Sequence, residues 1–300
     1  MMNETAKTPL SLEIKASALV ALSAILYGCL SCLGIKIIDQ HFSVPTMLFW
    51  RFSIATLWML GWIILSQNKS LLAVCKNHRL MLGLSLAVIF YSVASALYFL
   101  ACELVGTGLA MIIFFTFPIF VVILSWLVEK KPITKYTMMV LAAIVFGLIL
   151  LKGGGAVNLS KLGIVYAISA AFFFGTYVYG SKYLIKNIPS ASITILVCLG
   201  CAILFFLIAT ADHSFAYPTT LKTWFYISAM GVIATALPIQ LLLEAMKHIH
   251  PNKASILSVL EPVVTVILGI IVLGETTTTL QLIGGFIILF SALCIQFERK

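Results

Sequence analysis

The feature that most restricts this 300-residue chain is a succession of apolar runs, each about twenty residues long and almost free of charge. A helix rises about 1.5 Å per residue, so a run of about 20 apolar residues matches the roughly 30 Å hydrocarbon layer of a bilayer. That ruler places spans at 16–36, 46–66, 80–101, 107–127 and 134–151, then at 161–182, 190–210, 223–245, 254–273 and 279–297. The runs are continuous, which selects helices over the short alternating segments of barrel strands. Composition closes off a soluble alternative, because 62% of the residues are hydrophobic and only 10% are charged. A water-soluble domain carries roughly a quarter charged residues and needs them to cover its surface. The expectation is an all-α integral membrane protein with ten transmembrane helices. Residues 1–15 read as a polar N-terminal tail, and the run from Ala16 reads as a retained signal anchor, since no small-residue cleavage site follows it.

The net charge of +9 has two readings, nucleic-acid binding or membrane topology. Where the bases fall decides between them. With the N-terminus inside, the inner segments hold Lys7, Lys15, Lys69, Lys76, Arg79, Lys130, Lys131, Lys135, Lys182, Lys186, Lys247, Lys253, Arg299 and Lys300. The outer loops hold only Lys152, Lys161 and Lys222, while Lys36 and Arg51 lie in or at the ends of spans. This bias sets both termini in the cytoplasm and the chain in the inner (plasma) membrane, with lipid and not nucleic acid as its partner. Six of the seven cysteines (Cys29, Cys32, Cys102, Cys198, Cys201 and Cys294) fall in or beside apolar segments and read as packing residues. Neither a metal nor a cofactor is expected.

The chain also repeats itself. Ala110-Met-Ile-Ile…Pro118-Ile-Phe-Val-Val-Ile-Leu124 matches Ala254-Ser-Ile-Leu…Pro262-Val-Val-Thr-Val-Ile-Leu268 at an offset of 144 residues, and each run is followed by a glutamate, Glu129 or Glu275. Ala24…Gly28 likewise matches Ala171…Gly175. The units are 16–151 and 160–297, with five spans in each. An odd number forces the second to insert upside down, which makes an inverted repeat.

These residues resemble the EamA-type carriers of the drug/metabolite transporter superfamily. The closest stretch is Leu242-Leu-Glu-Ala-Met-Lys-His-Ile-His-Pro-Asn-Lys-Ala-Ser-Ile-Leu-Ser-Val-Leu-Glu-Pro262, running on to Leu273-Gly-Glu275; Gly28 with Lys36 and Phe49-Trp-Arg51-Phe add to it. The likeness covers nearly the whole chain. It implies transport of metabolites, often amino acids or related compounds, usually outward. Two departures stand out: Phe117-Pro118 replaces the Glu261-Pro262 of the second half, and Arg51 has no basic counterpart in the seventh span.

Ionisable groups inside a bilayer cost several kcal/mol, so each is a candidate for function. Glu261 is the sharpest, beside Pro262, and reads either as a protonatable or amine-binding carboxylate or as a bond to a neighbouring helix end. Arg51 could hold a carboxylate bidentately, pair with Asp39 or Glu103, or snorkel to the interface. Pro118 and Pro262 are matched kinks suited to a hinge or gate. Tyr27, Trp50, Tyr91, Tyr98, Tyr177 and Gln240 are amphipathic and deep enough to line a substrate pocket, although aromatics in spans also serve packing. The expected function is a secondary transporter moving a small metabolite by alternating access, in the export direction. It is not expected to be an enzyme, because no HExxH, no GxSxG and no close pair of membrane carboxylates occurs. An intramembrane enzyme or a membrane assembly factor is the alternative. A homodimer is compatible with either.

Overall fold

The computed structural model describes residues 10–38, 42–65, 77–130, 132–151, 160–273 and 278–296, and among these there is no strand. Helices α1 (Leu10–Ile38), α2 (Val44–Leu65) and α3 (His78–Val105) are the first three spans. The fourth is broken into α4 (Thr107–Phe114) and α5 (Phe117–Glu129), and α6 (Lys135–Leu151) completes the first half. In the second half, α7 (Lys161–Leu184) and α8 (Ser190–Ala211) are followed by α9 (Leu221–Gly231), which runs through a π-helical turn (Val232–Ala236) into α10 (Leu237–Ala245). The ninth span is again broken, into α11 (Pro251–Ser258) and α12 (Leu260–Leu273), and α13 (Thr279–Gln296) is the tenth.

Eight of these ten spans are clearly long and apolar enough to cross a membrane. The other two, α6 with 17 residues and α13 with 18, lie at the short end of the spanning range. Helix α1 starts at Leu10, inside the stretch expected to be a polar tail. Leu10, Leu12 and Ile14 supply apolar positions there, and Glu13 sits in the first turn, where the helix dipole favours an acid. Glu13 also accepts a hydrogen bond from Lys253 Nζ at 2.6 Å, which ties the start of α1 to α11.

The burial pattern is that of a chain dissolved in lipid. Large apolar side chains such as Trp62, Ile64, Met139, Phe146, Ile271 and Phe286 point outward, while Ser181, Ser192, Thr194, Thr235 and Ser255 are fully buried. With no water in the hydrocarbon layer, hydroxyls are stable only where they find a partner inside the bundle. Ser23, for example, donates to Pro238 O at 2.8 Å, joining α1 to α10.

The two halves interlock about a pseudo-two-fold axis. Helix α1 packs on α10 and α12 of the other half, and its mate α7 packs on α3 and α5 in the corresponding way. Spans two and seven pair directly, as do spans five and ten. The symmetry reaches single atoms. A Cβ added to Gly28 would lie 2.6 Å from Val264 Cγ1 and 3.4 Å from Glu261 O. A Cβ added to Gly175 would lie 3.0 Å from Phe117 O and 3.1 Å from Phe120 Cβ. Residues 117 and 120 are the repeat mates of 261 and 264, so each half uses one glycine to press its first helix against the broken helix of the other unit. Close backbone approach through small residues is how membrane helices gain packing energy without a hydrophobic driving force between them.

Candidate functional site

Three interrupted helices meet the cavity or support it. In the fourth span the chain turns at Phe115 and Thr116, just before Phe117-Pro118, and Thr116 Oγ1 donates to Ile113 O at 2.6 Å. In the ninth span the turn is at Val259, just before Glu261-Pro262. These breaks fall at matched positions of the repeat. A proline has no N–H to give to the preceding turn, so carbonyls are freed at both sites. Glu261 lies in the first turn of α12, at the positive end of that helix.

The third interruption lies in the eighth span. Pro238 again removes a donor, and the chain answers with a π turn, in which Leu237 N–H reaches back to Val232 O. A π turn swings one side chain out of α-helical register. Here that side chain is Thr235, whose Oγ1 donates to Met230 O at 2.8 Å and accepts from Arg51 Nε at 2.7 Å. Arg51 is 3% exposed, and its guanidinium lies 5.1 Å from the centre of the Phe52 ring.

Arg51 and Glu261 face the same cavity, which Tyr27, Tyr91, Tyr98, Ser95 and Thr265 also line. Counting along the helices places it. Arg51 is seven residues from the start of α2 and Tyr98 seven from the end of α3, each about 10 Å from the face opposite the chain termini. Beyond the Nε bond, neither the guanidinium nor the Glu261 carboxyl forms a hydrogen bond to a described residue. Among the described residues, neither takes a structural partner considered from sequence. Glu103 is exposed and forms no bond with Arg51, and Asp39 lies outside the described residues. Both groups therefore present free hydrogen-bonding capacity to the same space. The rest of the wall is apolar, made by Phe99, Phe114, Phe115, Phe174 and Met111. Towards the terminal face the bundle is filled, with Phe117, Val121, Ser181 and Ser255 almost fully buried.

Of the eight pocket residues singled out from sequence, five come together: Tyr27, Arg51, Tyr91, Tyr98 and Glu261. Tyr27 and Tyr91 bond through their hydroxyls at 3.2 Å. The other three lie elsewhere. Tyr177 packs behind Tyr91, with ring centres 4.8 Å apart. Gln240 is engaged between α8 and α10, accepting from Thr194 Oγ1 and donating to Ser190 Oγ, each at 2.9 Å. Trp50 sits one residue before Arg51 and so points another way. Its Nε1–H donates to Ala216 O at 3.0 Å, within an aromatic group formed with Phe49, Phe215 and Trp224. Sequence reading missed Thr235, the phenylalanine wall, Ser95 and Thr265. The one available signal was Pro238, which announces a disturbed helix close to Thr235.

Comparison with known proteins adds the following. The EamA-like transporter family model matches residues 14–152 and 161–297. An uncharacterized transporter of Archaeoglobus fulgidus is 28% identical over 219 residues, covering 73% of this chain and 76% of that protein. The threonine/homoserine exporter RhtA of Escherichia coli (strain K12) is 27% identical over 226 residues, covering 72% and 74%. GDP-fucose transporter 1 of Dictyostelium discoideum is 23% identical over 190 residues, covering 60% and 50%. One crystal structure superposes on 94% of this chain, and on 96% of its own, with a TM-score of 0.79 at 16% identity, which shows a shared fold.

Proposed function

Since the chain belongs to the EamA-like transporter family, we propose that it is a secondary carrier that exports an amino acid or a related small zwitterion by alternating access. The observation that carries this reading is the shared cavity of Arg51 and Glu261. A guanidinium on one side suits a carboxylate, which it can bind through two parallel N–H donors. A carboxyl group on the other side suits an ammonium group. The aromatic wall between them suits an apolar side chain, and a concave, mostly apolar site with a few convergent polar groups is the usual form of a small-molecule site.

Two further observations support the finer points. RhtA is named as an exporter of threonine and homoserine, while the fucose-nucleotide carrier shows that related chains are named for quite different cargo. The excess of Lys and Arg at the terminal face supports an orientation with both termini in the cytoplasm. In that orientation the cavity of this structure belongs to the outer half of the bilayer, and the filled side faces the cytoplasm. Pro118 and Pro262 then serve as the paired hinges about which the cavity changes sides.

Metabolite profiling of cells with and without the protein, inside and outside, tests the reading. One amino acid, or a small group, should shift from the cell to the medium, and Arg51→Gln should cancel the shift. Identical profiles in the two strains would refute export.

A further inference from the structure

A second group of charges lies at the terminal face, apart from the cavity. Glu129, the last residue of α5, accepts hydrogen bonds from Lys182 Nζ on α7 at 2.7 Å and from the Tyr179 hydroxyl at 3.2 Å. Its third partner is His250, whose Nε2 lies 3.1 Å from Glu129 Oε1. The other imidazole nitrogen is occupied: His250 Nδ1 accepts from Asn252 N–H at 3.3 Å, which caps α11. His250 Nε2 also lies 2.9 Å from Lys182 Nζ, so the imidazole touches both members of the ion pair. The side chains of the cluster are 13–19% exposed. Tyr183 extends it, with its hydroxyl 3.1 Å from that of Tyr179.

This cluster fastens together the second half of the fourth span, the end of the sixth and the first half of the ninth. The far end of α11 is the break at Val259, next to Glu261. The repeat mate of His250, at the 144-residue offset, is Gly106, which precedes α4 with φ +81° and offers no side-chain cap. Of two matched half-helices, then, α11 is tied by its cap residue into an ion cluster at the terminal face, whereas the cap position of α4 holds a glycine. The tied half-helix is on the filled side of the bundle, and the cavity lies on the other side.

We propose that Glu129, Lys182 and His250 form a latch that holds the terminal face closed, and that its release lets α11 move about Val259 so that the cavity opens to that face. The inference rests on the alternating-access reading above. These are positioning residues: they act on cargo through α11 and Glu261 and do not touch it.

Hydrogen exchange measured by mass spectrometry on the full chain in lipid nanodiscs tests the latch. In Glu129→Gln, amides of 251–258 should exchange at least tenfold faster, while those of 107–114 slow as the opposite side closes. The charge-reversed pair Glu129→Lys with Lys182→Glu should restore the original pattern. His250→Asn keeps a capping side chain but loses the bond to Glu129, and should shift exchange in the same direction as Glu129→Gln. Unchanged exchange overturns the proposal, as does faster exchange at 251–258 with no slowing at 107–114, which is local loosening. Failure of the charge-reversed pair to restore the pattern also overturns it. Flux of radiolabelled threonine and a mixture of other amino acids, measured on the same variants, separates the two readings. Reciprocal exchange without flux leaves the latch standing and removes the carrier; flux without reciprocal exchange removes the latch alone.

Discussion

Replacing Thr235 with valine isolates the contribution of the π turn to the cavity. The substitution keeps the branched shape and removes one hydroxyl, and with it the acceptor 2.7 Å from Arg51 Nε. A hydrogen bond to a charged group contributes about 1.5–3 kcal/mol, more than a neutral one. The guanidinium also loses its tether and becomes free to swing across the cavity towards Glu261, where it would occupy the space meant for cargo. Since about 1.4 kcal/mol is a factor of ten, half-saturation for cargo should rise roughly 10- to 100-fold. Thr235→Ser keeps the hydroxyl and should stay within about threefold of the original protein. The assay is concentration-dependent exchange in proteoliposomes, with protein amount normalised by quantitative immunoblot. If Thr235→Val binds cargo as well as the original while remaining folded, Arg51 does not depend on the π turn, and the positioning argument fails.

The other expectations concern the acid, the packing and the periphery. Glu261→Gln should abolish flux driven by a proton gradient if this carboxyl carries the coupling proton; undiminished gradient-driven flux in the variant assigns that role elsewhere. Gly175→Leu forces bulk against Phe117 O and should destabilise the bundle by at least about 1–3 kcal/mol, the usual cost of overpacking, seen as a lower melting temperature in detergent. Gly61→Leu, at a position with open space around it, should melt close to the original, and equal losses at the two sites would contradict the packing scheme. Trp50→Phe removes the bond to Ala216 O but touches nothing in the cavity, so it should lower the melting temperature and leave cargo half-saturation unchanged.

How much of this was written plainly in the sequence depends on how local each cause is. Length and hydrophobicity set the spans, because the bilayer imposes one ruler on every helix. The 144-residue offset located both breaks, since Pro118 and Pro262 act on the turn immediately before them. Arg51 and Glu261 stood out because a charge inside lipid is rare whatever its neighbours. Pocket membership is different, because it depends on rotation about each helix axis and on which spans meet. Trp50 and Arg51 are adjacent in sequence and about 100° apart around α2, so one faces the aromatic group at the membrane edge and the other the cavity. Gln240 looked like an unpaired polar group until Thr194 and Ser190 on the facing helix satisfied it. Phe114 and Phe174 belong to spans far apart in the chain, and their 5.2 Å ring contact follows from packing of α4 on α7. Thr235 combines both difficulties: a local π turn aims it, and a residue 184 positions away gives it a purpose.

The central claim is that cargo binds between Arg51 and Glu261 and crosses by exposure of that site to each side in turn. Trans-stimulation tests it most directly. Proteoliposomes are loaded with an unlabelled amino acid found by the profiling experiment, and entry of the labelled form is followed. The expected result is saturable entry, accelerated several-fold by internal cargo, and lost in both Arg51→Gln and Glu261→Gln while those variants remain folded. Entry that rises linearly with concentration, ignores internal cargo, or persists in both variants would contradict it.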